Sequence, residues 1–329
     1  MPQNRKSKES RSVKVLVTGG AGFIGSHLVE MLLAANHAVT IVDNCSTGSA
    51  DNVAPEAHLI VRDIRESLDG VFADSRPEVV VHLAAQVSVP RSVSAPTEDA
   101  SVNITGYVNL VQTAARFGVR KVIMVSSAAV YGQPVSLPLT EDAPLAPVSP
   151  YGLSKLVGEH YTRLLCTQYG LSYTILRPAN VYGPRQTSGG EGSVIPSFLE
   201  RFTNGFDPVI HGDGRQTRDF VFVEDMAQAI IAALTLGDGC TLNVGTGNAV
   251  SILDVWKTLA SLVGWKRAPQ FGPARAADIE HSVMDSRAAF RILGWRPTVD
   301  LPEGLARTVE WWQNGRRAAP AQANDSSDR

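Results

Sequence analysis

A chain of 329 residues can bury a large core and carry two domains or one elaborated domain. With 44% hydrophobic and 19% charged residues and a net charge of −2, it has no basic excess to suit a nucleic-acid partner, and no apolar run reaches the roughly 18–20 residues needed to span a bilayer. Its three cysteines (Cys45, Cys166 and Cys240) and seven histidines are scattered, which points to reduced thiols in a cytoplasm and to no metal site.

In chain order, a polar tail is expected over residues 1–12, without the apolar core of a secretory signal. Short apolar runs of strand character follow: VKVLVTG (13–19), AVTIVD (38–43), HLIVRD (58–63), VVVHLAA (79–85), KVIMVSS (121–127) and SYTILRP (172–178). Helical patterns separate most of them, notably Gly25–Ala35, Ile104–Phe117 and Tyr151–Tyr169. Continuous Val/Ile/Leu runs imply strands buried on both faces, hence helices on both sides of a parallel sheet. The fold class is therefore α/β, a Rossmann-type doubly wound parallel sheet.

After Pro178 the texture changes to Gly, Pro and Ser in NVYGPRQTSGGEGSVIP, then helical SFLERFTN and the polar HGDGRQTRDF. DMAQAIIAAL (225–234) and CTLNVG (240–245) return to the sheet, and two more helices lie in SILDVWKTLASLVGW and LARTVEWW. The division is an NAD-binding domain of 13–180 with 220–250, a smaller mixed substrate-binding domain of 181–219 and 251–314, and a second tail over 315–329. The Trp311-Trp312 pair reads as packing, since no hydroxyl or cofactor motif lies near it.

Gly19, Gly22 and Gly25 stand three apart between the first strand and its helix. Such a turn lacks Cβ atoms, so backbone N–H groups and a helix N-terminus can meet a pyrophosphate. Asp43 ends the next strand, where a carboxylate accepts from a ribose 2′-OH and repels a 2′-phosphate; NAD is expected rather than NADP. Asp63 and Ile64 are candidates for the adenine, as acceptor and aliphatic wall. Ala84 and Ala85 end the fourth strand with side chains small enough for a cofactor to lie close.

SPYGLSK places Tyr151 and Lys155 four apart, on one helix face. A tyrosine with pKa near 10 is a poor base, but a lysine ammonium and a positive nicotinamide both favour phenolate. Lowering such a pKa by ~3 units corresponds to ~4 kcal/mol. Tyr151 is the candidate base, with Ser127 of SSAAVYG holding the same substrate oxygen.

With TGGAGFIGSHL, the late DN, HLAAQ, SSAAVYG, SPYGLSK, LRPANVYGPRQ, GDGRQTRDFVFVEDMA and LNVGTG in this order, the chain resembles the extended short-chain dehydrogenase/reductases, in particular nucleotide-sugar epimerases of the UDP-glucose 4-epimerase type. The resemblance runs from about Lys14 to Trp312 and implies Tyr151 as base, Lys155 as its partner and Ser127 as second proton-handling group. It implies Asn103 as a positioner of cofactor or water. Phe23, Ile24, Asn44, Ser46, Thr47, Gly48, Leu83, Gln86, Ser126 and Pro178 complete the expected cofactor site. It further implies a UDP clamp of Arg218 and Arg275 on the diphosphate and Asp278 near the uridine ribose. Asn180, Ser193, Val194, Ile210 and His211 would line the nucleotide, and Ser88 and Ala128 the substrate.

Dehydratases of this family carry an Asp-Glu pair after the position of Ser127, and decarboxylases a glutamate in that segment; here stand Ala128 and Ala129. The expected reaction is therefore 4-epimerisation of a UDP-sugar: oxidation at C4, rotation of the ketone and re-reduction. UDP-glucose/UDP-galactose comes first and UDP-glucuronate/UDP-galacturonate second, with Thr187, Ser188 and Arg185 as candidate carboxylate partners and Glu191 opposing an acid. A 4,6-dehydratase, a decarboxylase and a non-catalytic NAD-binding regulator are the alternatives. The resemblance also implies a homodimer packed through the helices at 104–117 and 151–169, with Val108, Val111, Leu164 and Leu165 at the seam.

Overall fold

The structure is a computed structural model that describes residues 12–188, 193–274 and 279–318. Its first half alternates strands and helices: β1 (Lys14–Thr18), α1 (Phe23–Ala34), β2 (Ala38–Asp43), β3 (His58–Val61), α2 (Asp69–Ser75), β4 (Val79–His82), α3 (Val89–Ser94), α4 (Pro96–Ala100), a π-helical turn (Ser101–Gly106), α5 (Tyr107–Arg116), β5 (Lys121–Val125), α6 (Pro150–Tyr169) and β6 (Ser172–Pro178). The second half adds β7 (Asn180–Tyr182), α7 (Val194–Thr203), β8 (Val209–His211), β9 (Thr217–Arg218), β10 (Phe220–Phe222), α8 (Val223–Ala233), β11 (Cys240–Val244), β12 (Val250–Ser251), α9 (Ile252–Val263), β13 (Gln270–Gly272), α10 (Arg287–Leu293) and α11 (Leu301–Ala318).

Seven parallel strands form one sheet in the order β3–β2–β1–β4–β5–β6–β11. Alternation along each strand feeds two cores. Val15 and Val17 of β1, Val79 and Val81 of β4, and Ile123 and Val125 of β5 pack on the side of α1 and α8. Leu16, Val80, Val122 and Met124 pack on the side of α5 and α6, against Tyr107, Leu110, Val111 and Leu165. Near-continuous apolar strands are what such a two-faced burial requires. The strand order reverses between β1 and β4, so the carboxyl ends of these two strands open the crevice where α/β sheets take ligands.

All seven expected strands form, although β3 stops at Val61, short of Asp63. The late segments build two-stranded ribbons, β7 with β10, β8 with β13 and β9 with β12. The helix expected from Ile104 begins instead as a π turn, and α10 is an element the sequence reading did not anticipate. α11 runs on to Ala318 where a tail was expected from residue 315. The rest of both expected tails lies outside the described residues.

Candidate active site

At the switch point the chain is tight enough to demand its glycines. Gly19 has φ +75°, and a Cβ there would sit 2.6 Å from the Ala84 nitrogen at the end of β4. A Cβ on Gly25 would overlap the Gly19 carbonyl oxygen, and one on Gly48 would lie 2.7 Å from the Ala21 carbonyl. The Asn44–Gly48 loop is thus laid against the glycine turn. Asp43 joins the two: Oδ2 accepts from the Ala21 N–H at 3.0 Å and Oδ1 from the Cys45 N–H at 2.8 Å. Each oxygen keeps a further acceptor direction for a ribose hydroxyl. A side-chain-free turn, the Gly22–Phe23–Ile24 start of α1 and a carboxylate at the end of β2 make a cradle that fits NAD.

The adenine expectation changes. Both oxygens of Asp63 are taken, by the Arg65 guanidinium and N–H and by the Asn44 amide, at 2.8 to 2.9 Å. Those four donors fill the carboxylate. The Arg65 hydrogen bonds foremost hold its pKa well below the usual carboxylate range. Ile64, only 3% exposed, packs in the core and offers little surface to a ring. Asn103 is likewise engaged: Oδ1 accepts from the Gln86 N–H at 2.8 Å, and Nδ2 lies within 3.1 Å of Gln86 O, Asp99 Oδ1 and Ser154 Oγ. Its amide clips the segment after β4 to α6, and Oδ1 keeps one further acceptor direction. Ser88 caps α3 by accepting from the Arg91 N–H.

The chemical groups converge on α6. Ser149 caps this helix by accepting from the Gly152 N–H at 3.1 Å, and Pro150 fits its first turn. Tyr151 and Lys155 are buried on one face, and the Lys155 ammonium lies 5.9 Å from the Tyr151 ring centroid. Lys155 donates to the Val125 carbonyl at 3.0 Å, two residues before Ser127. From the other side, a Cβ on Gly152 would lie 2.6 Å from the Ala129 carbonyl oxygen. The turn carrying Tyr151 therefore rests on the turn carrying Ser127, Ala128 and Ala129. Leu83, Ala84, Ala85, Ser126 and Pro178 stand at or just beyond the carboxyl ends of β4, β5 and β6, the edge where Gly19 also lies.

Beneath this group His82 is fully buried, stacked on Tyr107 at 4.6 Å and hydrogen-bonded through Nδ1 to Thr18 Oγ1 at 2.8 Å. Burial, and then the charge of Lys155, push its pKa down to about 3. The imidazole is thus neutral at physiological pH.

The residues expected to clamp the nucleotide fall at element ends of the later segments. Asn180 begins β7, Arg218 ends β9, Ser193 and Val194 start α7, and His211 ends β8 with Nδ1 3.2 Å from Pro273 O. Ile210 is a correction: it is 1% exposed, its side chain in the core rather than along a ligand. Arg185 pairs through Nη2 with Glu30 of α1 at 2.6 Å, while its Nη1 is buried with no hydrogen-bond partner. Thr187 and Ser188 are exposed. Arg275, Asp278 and Glu191 lie outside the described residues. Of the expected seam residues, Val111 and Leu165 are core, while Leu164 is 62% exposed. Trp312 packs against the core with its indole N–H on Thr203 Oγ1 at 3.0 Å, but Trp311 is 39% exposed, edge-on to it.

Sequence reasoning missed a buried network behind Ser127. Ser126, Glu159, Arg177, Tyr131 and Asn243 form one hydrogen-bonded chain. The available signal was Arg177 itself, a charge inside an apolar strand, which needs a buried partner.

The sequence pattern of the NAD dependent epimerase/dehydratase family matches residues 15–245. The chain belongs to this family. The UDP-glucose 4-epimerase of Mycolicibacterium smegmatis is 43% identical over 310 residues, covering 92% of this chain and 99% of that protein. Among solved structures, the UDP-glucose 4-epimerase of Thermotoga maritima with UDP-glucose has a TM-score of 0.89 at 40% identity, covering 92% of this chain and 99% of that one. The Thermus thermophilus UDP-glucose 4-epimerase complex with NAD has a TM-score of 0.85 at 38% identity, covering 91% and 98%. NAD is the cofactor of this epimerase family member.

Proposed function

We propose that the protein is an NAD-dependent UDP-sugar 4-epimerase interconverting UDP-glucose and UDP-galactose. The observation that carries the reading is the turn of Ala128 and Ala129 set between Ser127 and the Tyr151–Lys155 pair. In this turn Ala128 and Ala129 stand where an acid and base for eliminating water, or a glutamate for the decarboxylating chemistry, would be needed, and neither alanine can transfer a proton, which favours return of the hydride.

In this reading Gly19, Gly22, Gly25, Asp43 and the residues ending β4 to β6 hold NAD, which supplies a reversible two-electron acceptor for C4. Tyr151 takes the proton of the C4 hydroxyl, Ser127 hydrogen-bonds the same oxygen, and the Lys155 ammonium favours the phenolate. Arg218, with Arg275, anchors the diphosphate through planar donor forks while the sugar turns over. Tyr151 then returns the proton to the oxygen of the turned sugar. Asn180, Ser193, Val194 and His211 line the nucleotide. The division into an NAD-binding part (13–180 with 220–250) and a UDP-sugar part (181–219 with 251–314) belongs to the same reading.

The pairing of Arg185 Nη2 with Glu30 draws this cation toward α1 and so favours a neutral sugar over a glucuronate. A cytoplasmic homodimer completes the proposal, supported by the free thiols of Cys45, Cys166 and Cys240 and by exposed Leu153 and Leu164 on α6. Sedimentation at monomer mass would remove the dimer. For the reaction, proton NMR with UDP-glucose or UDP-glucuronate and no added NAD should show the H4 coupling of the 4-epimer in the first tube. Released carbon dioxide, a 4-keto-6-deoxy sugar or unchanged spectra would overturn the assignment, as would full turnover by Tyr151→Phe.

A further inference from the structure

We infer that the buried Glu159–Arg177 pair is a positioning device that pins both ends of the active-site turn Ser126–Tyr131, and with it Ser127, against α6. This rests on the proposed role of Ser127. At the near end, Ser126 Oγ donates to Glu159 Oε1 at 2.7 Å. At the far end, Arg177 Nη1 donates to the Tyr131 hydroxyl at 2.9 Å and its guanidinium lies 4.9 Å from the Tyr131 ring centroid. Between them, Arg177 grips Glu159 with two bonds of 2.7 and 2.8 Å. Tyr131 in turn donates to Asn243 Oδ1 at 2.7 Å, which anchors the far end to β11.

Glu159 follows Lys155 by four residues on α6, as Lys155 follows Tyr151. One helix face thus carries the candidate base, its cation and the anchor of the turn that bears Ser127. The carboxylate is fully buried. Burial alone would raise its pKa, but the Arg177 guanidinium, with Ser126 and Arg163, outweighs burial and holds it below the ordinary range. An ion pair this deep yields little net stability compared with packed apolar side chains, so its use here points to fixed geometry. Ser127 Oγ also accepts from the Ala129 N–H at 3.0 Å, a bond within the turn that shapes it without tying it to α6.

Two variants test the device without leaving a lone buried charge. Tyr131→Phe removes the far hydroxyl and leaves the ion pair, and Glu159→Gln with Arg177→Met removes both charges. Expected are a kcat for UDP-glucose about tenfold lower in the first and about a hundredfold lower in the second, the cost of misplacing reacting groups. The KM and the bound NAD content should stay near wild type. Independently of turnover, hydrogen exchange at the Ala129, Val130 and Tyr131 amides should accelerate in both variants while the central strands stay protected. Amides exchanging as in the wild type overturn the positioning role, whether or not the wild type epimerises UDP-glucose. So does a loosened turn with unchanged kcat. A loosened turn in variants of a wild type that is itself inactive supports the device and overturns the function alone.

Discussion

Lys155 donates to the backbone carbonyl of Val125 across 3.0 Å, which ties α6 to the end of β5. The same ammonium faces the Tyr151 ring. Lys155→Met keeps the stem and removes the charge, so packing survives while the phenolate loses its cation. Turnover of UDP-glucose should fall by about 10²-fold or more, in the range lost with a general-base system. A coupled assay on protein of matched NAD content measures it.

Asp43 spends one acceptor direction of each oxygen on the glycine turn and on the loop after β2. Asp43→Asn turns one oxygen into a donor that opposes a backbone N–H. NAD retention should drop about tenfold, and stability by about 1–3 kcal/mol, the cost of an unpaired buried group. Calorimetric titration with NAD and urea denaturation test the two effects separately.

Gly25→Ala pushes a methyl into the Gly19 carbonyl oxygen, with the Gly20 Cα only 2.7 Å away. These are backbone atoms of the cradle, so relief requires opening the turn. The variant should purify without NAD and lose about 1–3 kcal/mol of stability. A nucleotide-free spectrum with a lowered melting temperature is the expected result.

His82 has a folded-state pKa of about 3 against an ordinary 6.5. Between these values the unfolded chain binds a proton that the folded chain does not, so stability rises with pH. The stabilisation is fully present above pH 6.5 and is lost as pH falls toward 3. It reaches about 5 kcal/mol in all. His82→Gln should flatten the acid limb of melting temperature against pH and leave the neutral region nearly parallel to wild type. An unchanged acid limb would assign the acid sensitivity to other groups.

Much of the framework was legible before folding because its signals are local. The runs that became β1, β4 and β5 are apolar at nearly every position, which only a sheet covered on both faces can use. Gly19, Gly25 and Asp43 were placed by spacing alone, since a strand–turn–helix fixes where its ends lie. Tyr151 and Lys155 were legible for the same reason, one helical turn apart.

What stayed hidden were pairings between segments distant in the chain. Glu30 takes Arg185 from 155 residues away, Glu159 takes Arg177 across the gap between helix and strand, and Ile210 turns inward. Even the near neighbour Arg65 claims Asp63 through a side-chain conformation that spacing does not reveal. By itself the sequence determined the parallel sheet, the glycine turn and the Tyr151–Lys155 face, because each follows from backbone geometry over a few residues. Only the tertiary structure decided which charges are free to meet a ligand and which are already spent. A carboxylate has few acceptor directions, and the chain's own donors fill them wherever packing brings those donors close.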